Sequence, residues 1–451
     1  MNDRPFKNFF KIEKSYWLLV LPILHTTVPW VNYRLRGMIP AVVAMFWLLP
    51  KVSKIMTKFN CREGRAFLAA FFWFFILVFL REIFAIIGSQ EHMQYHHIAT
   101  IGMQLCYFLV AFYTIAYRKF NELRFLTILT LGGFILSGIG AVRGMGVEGL
   151  ESARSIVSLQ NAGHSISQDA IDNAINIVNL GLGGYGYIYQ CSWVFCIMLF
   201  AFALTKNIQL RSLYLVTACC VAVSMKMGGL GTPVGIAVIG FIVFLLWFFI
   251  RNKKVVSICG YSLIGLFFIY ATMPQVFSFL ATPLESLASA MSGGSLKERI
   301  ISMASAFRGE DSYATDRAQL QLISFRTFFK HPFLGTFGPF AGGSQLDLGG
   351  HSYILDLLGG YGLLGLFVFI MFIWSVLRYF HVVGMRYFGQ KWLVLPVFLI
   401  VVFIFSGVLN PVTFPSNFII LVTGIAWMSL STQEKNELWW RYNQMNYNWN
   451  R

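Results

Sequence analysis

Long apolar stretches separated by short polar ones dominate the chain. Apolar segments near spanning length fall at 15–31, 38–50, 66–88, 98–117, 125–142, 187–205, 212–225, 233–250, 255–272, 351–377, 392–408 and 417–432. A helix needs about 20 apolar residues to cross the hydrocarbon of a bilayer. Several of these are shorter; the first two and the seventh are the least secure, and are expected to borrow flanking residues or thin the membrane locally. The pattern predicts an all-α polytopic membrane protein with about twelve transmembrane helices. Two stretches, 143–186 and 273–350, interrupt the rhythm as long loops on one side. No internal repeat is evident. The expected organisation is one integral membrane domain over 1–451, with 273–350 as an extracytoplasmic loop subdomain.

Composition agrees with the pattern. The chain is 57% apolar and 12% charged, with mean hydropathy +0.64; soluble domains carry roughly 25% charged residues. A soluble globule cannot hide that much apolar surface. The cysteines, at 61, 106, 191, 196, 219, 220 and 259, show no zinc spacing, and neither disulfides nor a structural zinc site is expected. The first stretch, MNDRPFKNFFKIEK, is basic and has no cleavage site behind it. It is expected to be a cytoplasmic tail and not a signal peptide.

The net charge is +16, but its distribution speaks for topology and not for nucleic acid. With both termini cytoplasmic, the short inside segments 1–14, 51–65, 118–124, 206–211, 251–254, 378–391 and 433–451 hold most of the 35 lysines and arginines. That is the positive-inside pattern. The cations left outside or embedded run against it. Arg81 sits within FFILVFLREIFAII, where a cation either snorkels to the interface or faces a polar cavity. Arg143 and Lys226 each end an outward-going helix, where a cation complements the helix dipole or meets an anion. Cations gathered at the outer face suit an anionic substrate that itself sits in lipid, such as a lipid-linked diphosphate.

The loop 273–350 contains SYATDRAQLQLISFRTFFKHPFLGTFGPF. From about Thr315 to Lys330 it reads as a helix, stopped by His331-Pro332. Arg317, Gln321, Ser324 and Phe328 lie along one face of it, and Arg326 lies on the opposite face among phenylalanines. Arg317 is therefore the candidate ligand contact, and Arg326 is assigned to the membrane surface. Glycines then crowd the chain up to GGHSYILDLLGGYGLLG, where His351 and Ser352 open the next apolar run. His351 is either an ordinary boundary histidine or a base facing outward.

The arrangement of Asp316-Arg317, then HPFLGTFGPF, then GGHSYILDLLGGYGLLGLFVF resembles the O-antigen polymerase and O-antigen ligase superfamily. The likeness is sharp over about 312–370 and rests elsewhere on topology. It implies a membrane glycosyltransferase of the GT-C type that uses undecaprenyl-diphosphate-linked oligosaccharides as donor and acceptor. It also implies His351 as catalytic residue and Arg317 as diphosphate-binding residue, with Lys226 at the place of a further family Arg. Arg143 and Arg81 are additional candidates for the diphosphate. Tyr187, Ser352 and Tyr353 are candidates for glycan contact.

The chemistry has its own logic. An acceptor hydroxyl attacks the anomeric carbon while the diphosphate departs. A histidine near neutral pKa takes the proton, and fixed cations steady the leaving charge. Glu310, Asp311 and Asp316 read as capping and solvated residues, so no metal and no cofactor is expected. Opposite-side attack inverts the anomeric centre, by analogy with single-displacement glycosidases. His92 and His96 share a helix spacing that can grip a metal, yet no third ligand stands at a set distance. The expected function is a polysaccharide polymerase of O-antigen or capsule type in the bacterial inner membrane, with its active site facing the periplasm. A chain-length regulator and a flippase are possible partners. The alternatives are a ligase that moves finished polymer to lipid A-core, and a flippase for lipid-linked oligosaccharides. A flippase should carry charge deep in a central cavity and has no need of a large outside loop.

Overall fold

A computed structural model describes residues 12–34, 38–59, 72–80, 95–144, 183–228, 231–250, 262, 278–290, 295–308, 312–336, 348, 352–383, 388–410, 417–431 and 433–437. Among them no strand occurs, and the elements are helices throughout. In chain order they are α1 (Val20–Thr27), α2 (Pro29–Arg34), α3 (Met38–Leu48), α4 (Val52–Phe59), α5 (Tyr95–Ala116), α6 (Phe120–Gly144), α7 (Tyr185–Leu204) and α8 (Ile208–Gly228). There follow α9 (Gly231–Phe249), α10 (Ala281–Ser289), α11 (Ser295–Arg308), α12 (Ser312–Lys330), α13 (Tyr353–Val383), α14 (Val394–Leu409) and α15 (Asn417–Ser429). Seven helices of the described residues are long and apolar enough to cross a membrane. The protein is an all-α polytopic membrane protein.

The expected segments 66–88 and 255–272 lie mostly outside the described residues. The seventh apolar segment does extend into its flanks: α8 runs from Ile208 to Gly228. The first is not one helix. A 3-10 turn (Lys14–Leu19), α1 and α2 replace it, with extended backbone at Val28 ahead of Pro29, as the restriction on residues before proline requires.

Small residues let the central helices approach closely, because association within lipid relies on packing and not on hydrophobic collapse. A Cβ on Gly138 of α6 would overlap Cys220 of α8, and one on Gly424 of α15 would overlap Thr127 of α6. Helix α15 lies at the centre, with nearly all its residues buried. Phe134 of α6 and Trp193 of α7 pack on Phe418 in its first turn, Trp193 edge-on at 5.9 Å, and Phe403 of α14 packs in turn on Trp193.

One end of the bundle gathers the short basic turns. Lys119 pairs with Glu13 at 3.2 Å and Lys391 with Glu434 at 2.6 Å. Phe120 stacks on Trp427 at 3.9 Å, which puts the start of α6 level with the end of α15. Lys51 is buried there, donating to the Trp47 carbonyl at 3.2 Å and to Ser15 Oγ at 3.3 Å. Asn207 caps α8 in the same layer, its Oδ1 accepting the amides of Gln209 and Leu210. The opposite end holds the C-termini of α6, α8 and α14 and the N-termini of α7, α13 and α15.

Sequence pattern alone reads 351–377 as a single straight span. The structure breaks it. Gly362 has φ 64 and ψ −156 inside α13, a backbone region open essentially to glycine alone. There the chain folds back. The rings of Tyr353 and Phe369 are 6.2 Å apart, whereas sixteen residues of unbroken helix rise about 24 Å. The break leaves a short arm, 353–361, against a long arm, 363–383.

Candidate functional site

The turn behind α12 stitches the break. In an unbroken helix the amides of Leu363 and Leu364 would reach the carbonyls of residues 359 and 360. Instead Leu363 donates to the Pro332 carbonyl at 2.7 Å and Leu364 to the Phe333 carbonyl at 3.1 Å. The freed Gly359 carbonyl accepts the Thr336 amide at 3.0 Å. Three backbone groups that the kink would orphan are thereby satisfied by another segment, as buried backbone demands. The approach is so close that only glycine fits. A Cβ on Gly335 (φ +65) would overlap the backbone of Gly360 and Tyr361, and one on Gly362 would press on Phe333. HPFLGT, residues 331–336, is therefore a tight backbone splice between two helices and not a free loop.

Helix α12 runs beside the short arm in the same direction. Its buried face presents Ser324 and Thr327. Ser324 Oγ donates to Asp356 Oδ1 at 2.5 Å, and both residues are fully buried. The other Asp356 oxygen accepts the Ser352 amide at 3.3 Å. Ser352 is the N-cap of α13: its Oγ accepts the Leu355 amide at 3.2 Å and donates to the Gly407 carbonyl at 3.3 Å. Tyr353 donates its amide to the Asn410 carbonyl at 3.2 Å. The start of α13 is thus fixed from three directions, by α12, by its own first turn and by the end of α14.

The expected site residues fall as follows. His351 lies outside the described residues; its neighbour Ser352 is the pinned helix start. Arg317 is described in its backbone, within α12, two turns before Ser324 on the same helical face. Ser352 is buried and its hydroxyl is spent on the cap and on Gly407. Tyr353 is half-buried, its ring between Phe369 and Phe403. Arg143 and Lys226 are both exposed at this same end, on helices joined closely at Gly138 and Cys220. Arg81 lies outside the described residues. Tyr187 is 9% exposed and stacked on Phe134 at 6.0 Å; in this conformation its ring is core and has no open face for a sugar. His92 lies outside the described residues, and His96 and His97 are described in their backbone alone. Among the described residues no three His, Cys, Asp or Glu side chains come together.

Several polar groups at this end were not picked out from the sequence. Asp356 is the chief one. It is the only acid in the apolar run 351–377, and an acid there is costly unless held; that cost was the available signal. Trp193 Nε1 donates to Ser406 Oγ at 3.0 Å across α7 and α14. One turn away along α7, the buried Oε1 of Gln190 has no hydrogen-bond partner, and neither has the buried Nδ2 of Asn417 at the start of α15. No spacing in the sequence marks these, because they converge from separate helices.

No protein-family model, curated protein or solved structure matches the chain.

Proposed function

We propose that this membrane protein is a polysaccharide polymerase, a glycosyltransferase that moves a growing glycan from undecaprenyl diphosphate onto a new lipid-linked repeat unit. The observation that carries the reading is the coupling of α12 to the start of α13. The helix that bears Arg317 is hydrogen-bonded through Ser324 and Asp356 to the helix that begins directly after His351. A base and a phosphate-binding cation need fixed mutual geometry, since loose placement forfeits the benefit of proximity. Exposed Arg143 and Lys226 at the same end add positive charge for the same diphosphate.

In this reading the acceptor hydroxyl attacks the anomeric carbon of the donor. Its proton passes to the imidazole of His351. The bond from the anomeric carbon to the diphosphate oxygen breaks, and the electron pair leaves with undecaprenyl diphosphate. Arg317, Lys226, Arg143 and Arg81 offset the charge on that leaving group. The step inverts the anomeric centre and uses no metal. The positive-inside rule puts the lysine-rich end in the cytoplasm and the Ser352 end in the periplasm, where a chain-length regulator and a flippase are its natural partners.

A gel of surface and lipid-linked glycans from cells lacking the gene tests the reading. The polymerase predicts that a single repeat unit still reaches its final acceptor while long chains vanish. Long chains that accumulate on the carrier lipid and never reach the acceptor would make the protein a ligase instead. Repeat units trapped on the cytoplasmic face would make it a flippase.

A further inference from the structure

The face of α12 turned away from α13 has no role in the site just described, and it is sorted by chemistry. Leu322, Phe325 and Phe329 form one exposed strip, with Phe329 66% exposed. Arg326 and Lys330, also exposed, border that strip on one side, since they follow it around the helix by about 40° and 80° at 100° per residue. The turn continues the apolar strip with Phe333, 74% exposed, and Leu334. The hydrogen bonds from Leu363 and Leu364 to Pro332 and Phe333 fix this turn level with the outer beginning of the long arm of α13. From there Leu363, Leu364, Phe367, Ile370, Met371 and Trp374 form an exposed apolar stripe at helical spacing down a membrane-crossing helix. The apolar surface is therefore continuous from the lipid-facing side of a span, over the glycine break, onto α12.

We infer that α12 and its turn form a membrane-surface helix, with Leu322, Phe325, Phe329 and Phe333 seated in the adjoining leaflet and Arg326 and Lys330 taking the phosphates of anionic lipids. Three observations commit the surface to lipid. The strip joins a face that already borders the bilayer. It is made of leucine and phenylalanine side chains, the kind that an interfacial helix buries at the headgroup–acyl boundary. Its cationic border matches the negative headgroups that flank such a helix. The inference does not depend on the proposed reaction; it concerns what holds α12 in place while its other face bears Arg317.

The test uses the full-length protein in vesicles of phosphatidylethanolamine, with and without phosphatidylglycerol. The photoreactive residue p-benzoylphenylalanine replaces Phe329, whose exposure lets the ring enlarge without disturbing the core. After illumination, mass spectrometry of the peptide that contains position 329 should find lipid adducts. Phosphatidylglycerol should be enriched in them over its share of the bilayer, by about fivefold for each cation engaged. Arg326→Gln with Lys330→Gln should abolish that enrichment while adducts persist. Adducts to protein alone, or photoreduction with no lipid attached, would overturn the seating. Lipid adducts that merely follow the bilayer composition in the unsubstituted background would overturn the assignment of Arg326 and Lys330 to anionic headgroups. A monodisperse elution profile for each variant separates either result from misfolding.

Discussion

Ser324 and Asp356 are 32 residues apart in the chain, and their side-chain oxygens are 2.5 Å apart in the fold. That contact joins a helix within the 273–350 stretch to the helix that follows it and re-enters the bundle. Because the second Asp356 oxygen holds the Ser352 amide, the contact also sets where α13 begins.

Loss of either partner should loosen that junction. Ser324→Ala removes a buried hydrogen bond to a carboxyl group and is expected to cost about 1.5–3 kcal/mol. Asp356→Ala should cost more, since it removes the hydrogen bonds that Asp356 accepts from both the Ser324 hydroxyl and the Ser352 amide. The double variant should cost less than the two added together, as residues in direct contact are coupled. Thermal unfolding in detergent, read as the monodisperse fraction remaining, measures all three. Strict additivity would show that the contact is not made.

Gly362→Ala is expected to destabilise by at least about 1–3 kcal/mol, the cost of a strained backbone region, with the overlap onto Phe333 added to it. Gly102→Ala is the control. It lies inside α5, and a Cβ there meets nothing within 4 Å. By helix propensity that variant should match or exceed the parent by about 0.5–1 kcal/mol. The same melting assay compares them. Equal stability of the two variants would mean that the fold-back at Gly362 is absent.

His351→Ala and Arg317→Ala are each expected to lower polymer formation by about 100–1000-fold, the usual loss when a fixed transition-state partner is removed. Protein levels in the membrane should be unchanged. Arg317→Lys should recover part of the activity, because lysine keeps the charge and loses the two-pronged pairing. Glycan ladders on gels, with immunoblots of the same membranes, give the readout. Near-normal ladders for both alanine variants would remove the proposed mechanism.

At the opposite end, Glu434 answers to pH. Partial burial alone would raise its pKa. The hydrogen bonds from Lys391 and Ser431, with the Lys391 charge, outweigh that and hold the carboxyl at about 2, against an ordinary value of 4.5. A carboxyl depressed in the folded state adds stability above its unfolded pKa and loses it as pH falls toward the folded one. The stability difference between the parent and Glu434→Gln should therefore be constant above pH 4.5 and shrink between 4.5 and about 2. Melting curves of the two proteins across that range test it; a difference independent of pH would show that Lys391 and Glu434 are not paired.

Much of this molecule was legible in its residues. Apolar runs of spanning length separated by short basic turns required a bundle of membrane helices, because neither backbone nor apolar side chains have another stable place. Helical phase set Ser324 and Arg317 on one face of α12 and Arg326 on the other, and the proline after His331 set where the helix stops. The sequence could not show that 351–377 is bent back at Gly362. Its glycines allow a close packing or a break equally, and only the arrival of Pro332 and Phe333, which take over the stranded backbone groups, makes the break cheaper than the straight helix. Nor could it show that Asp356 would be sheltered and that Tyr187 would be enclosed. Both depend on which helices meet, Ser324 from α12 in one case and Phe134 from α6 in the other. Local patterning decides which segments become helices. Tertiary packing decides which polar groups find partners, because that is a matter of distance across the bundle and not of spacing along the chain.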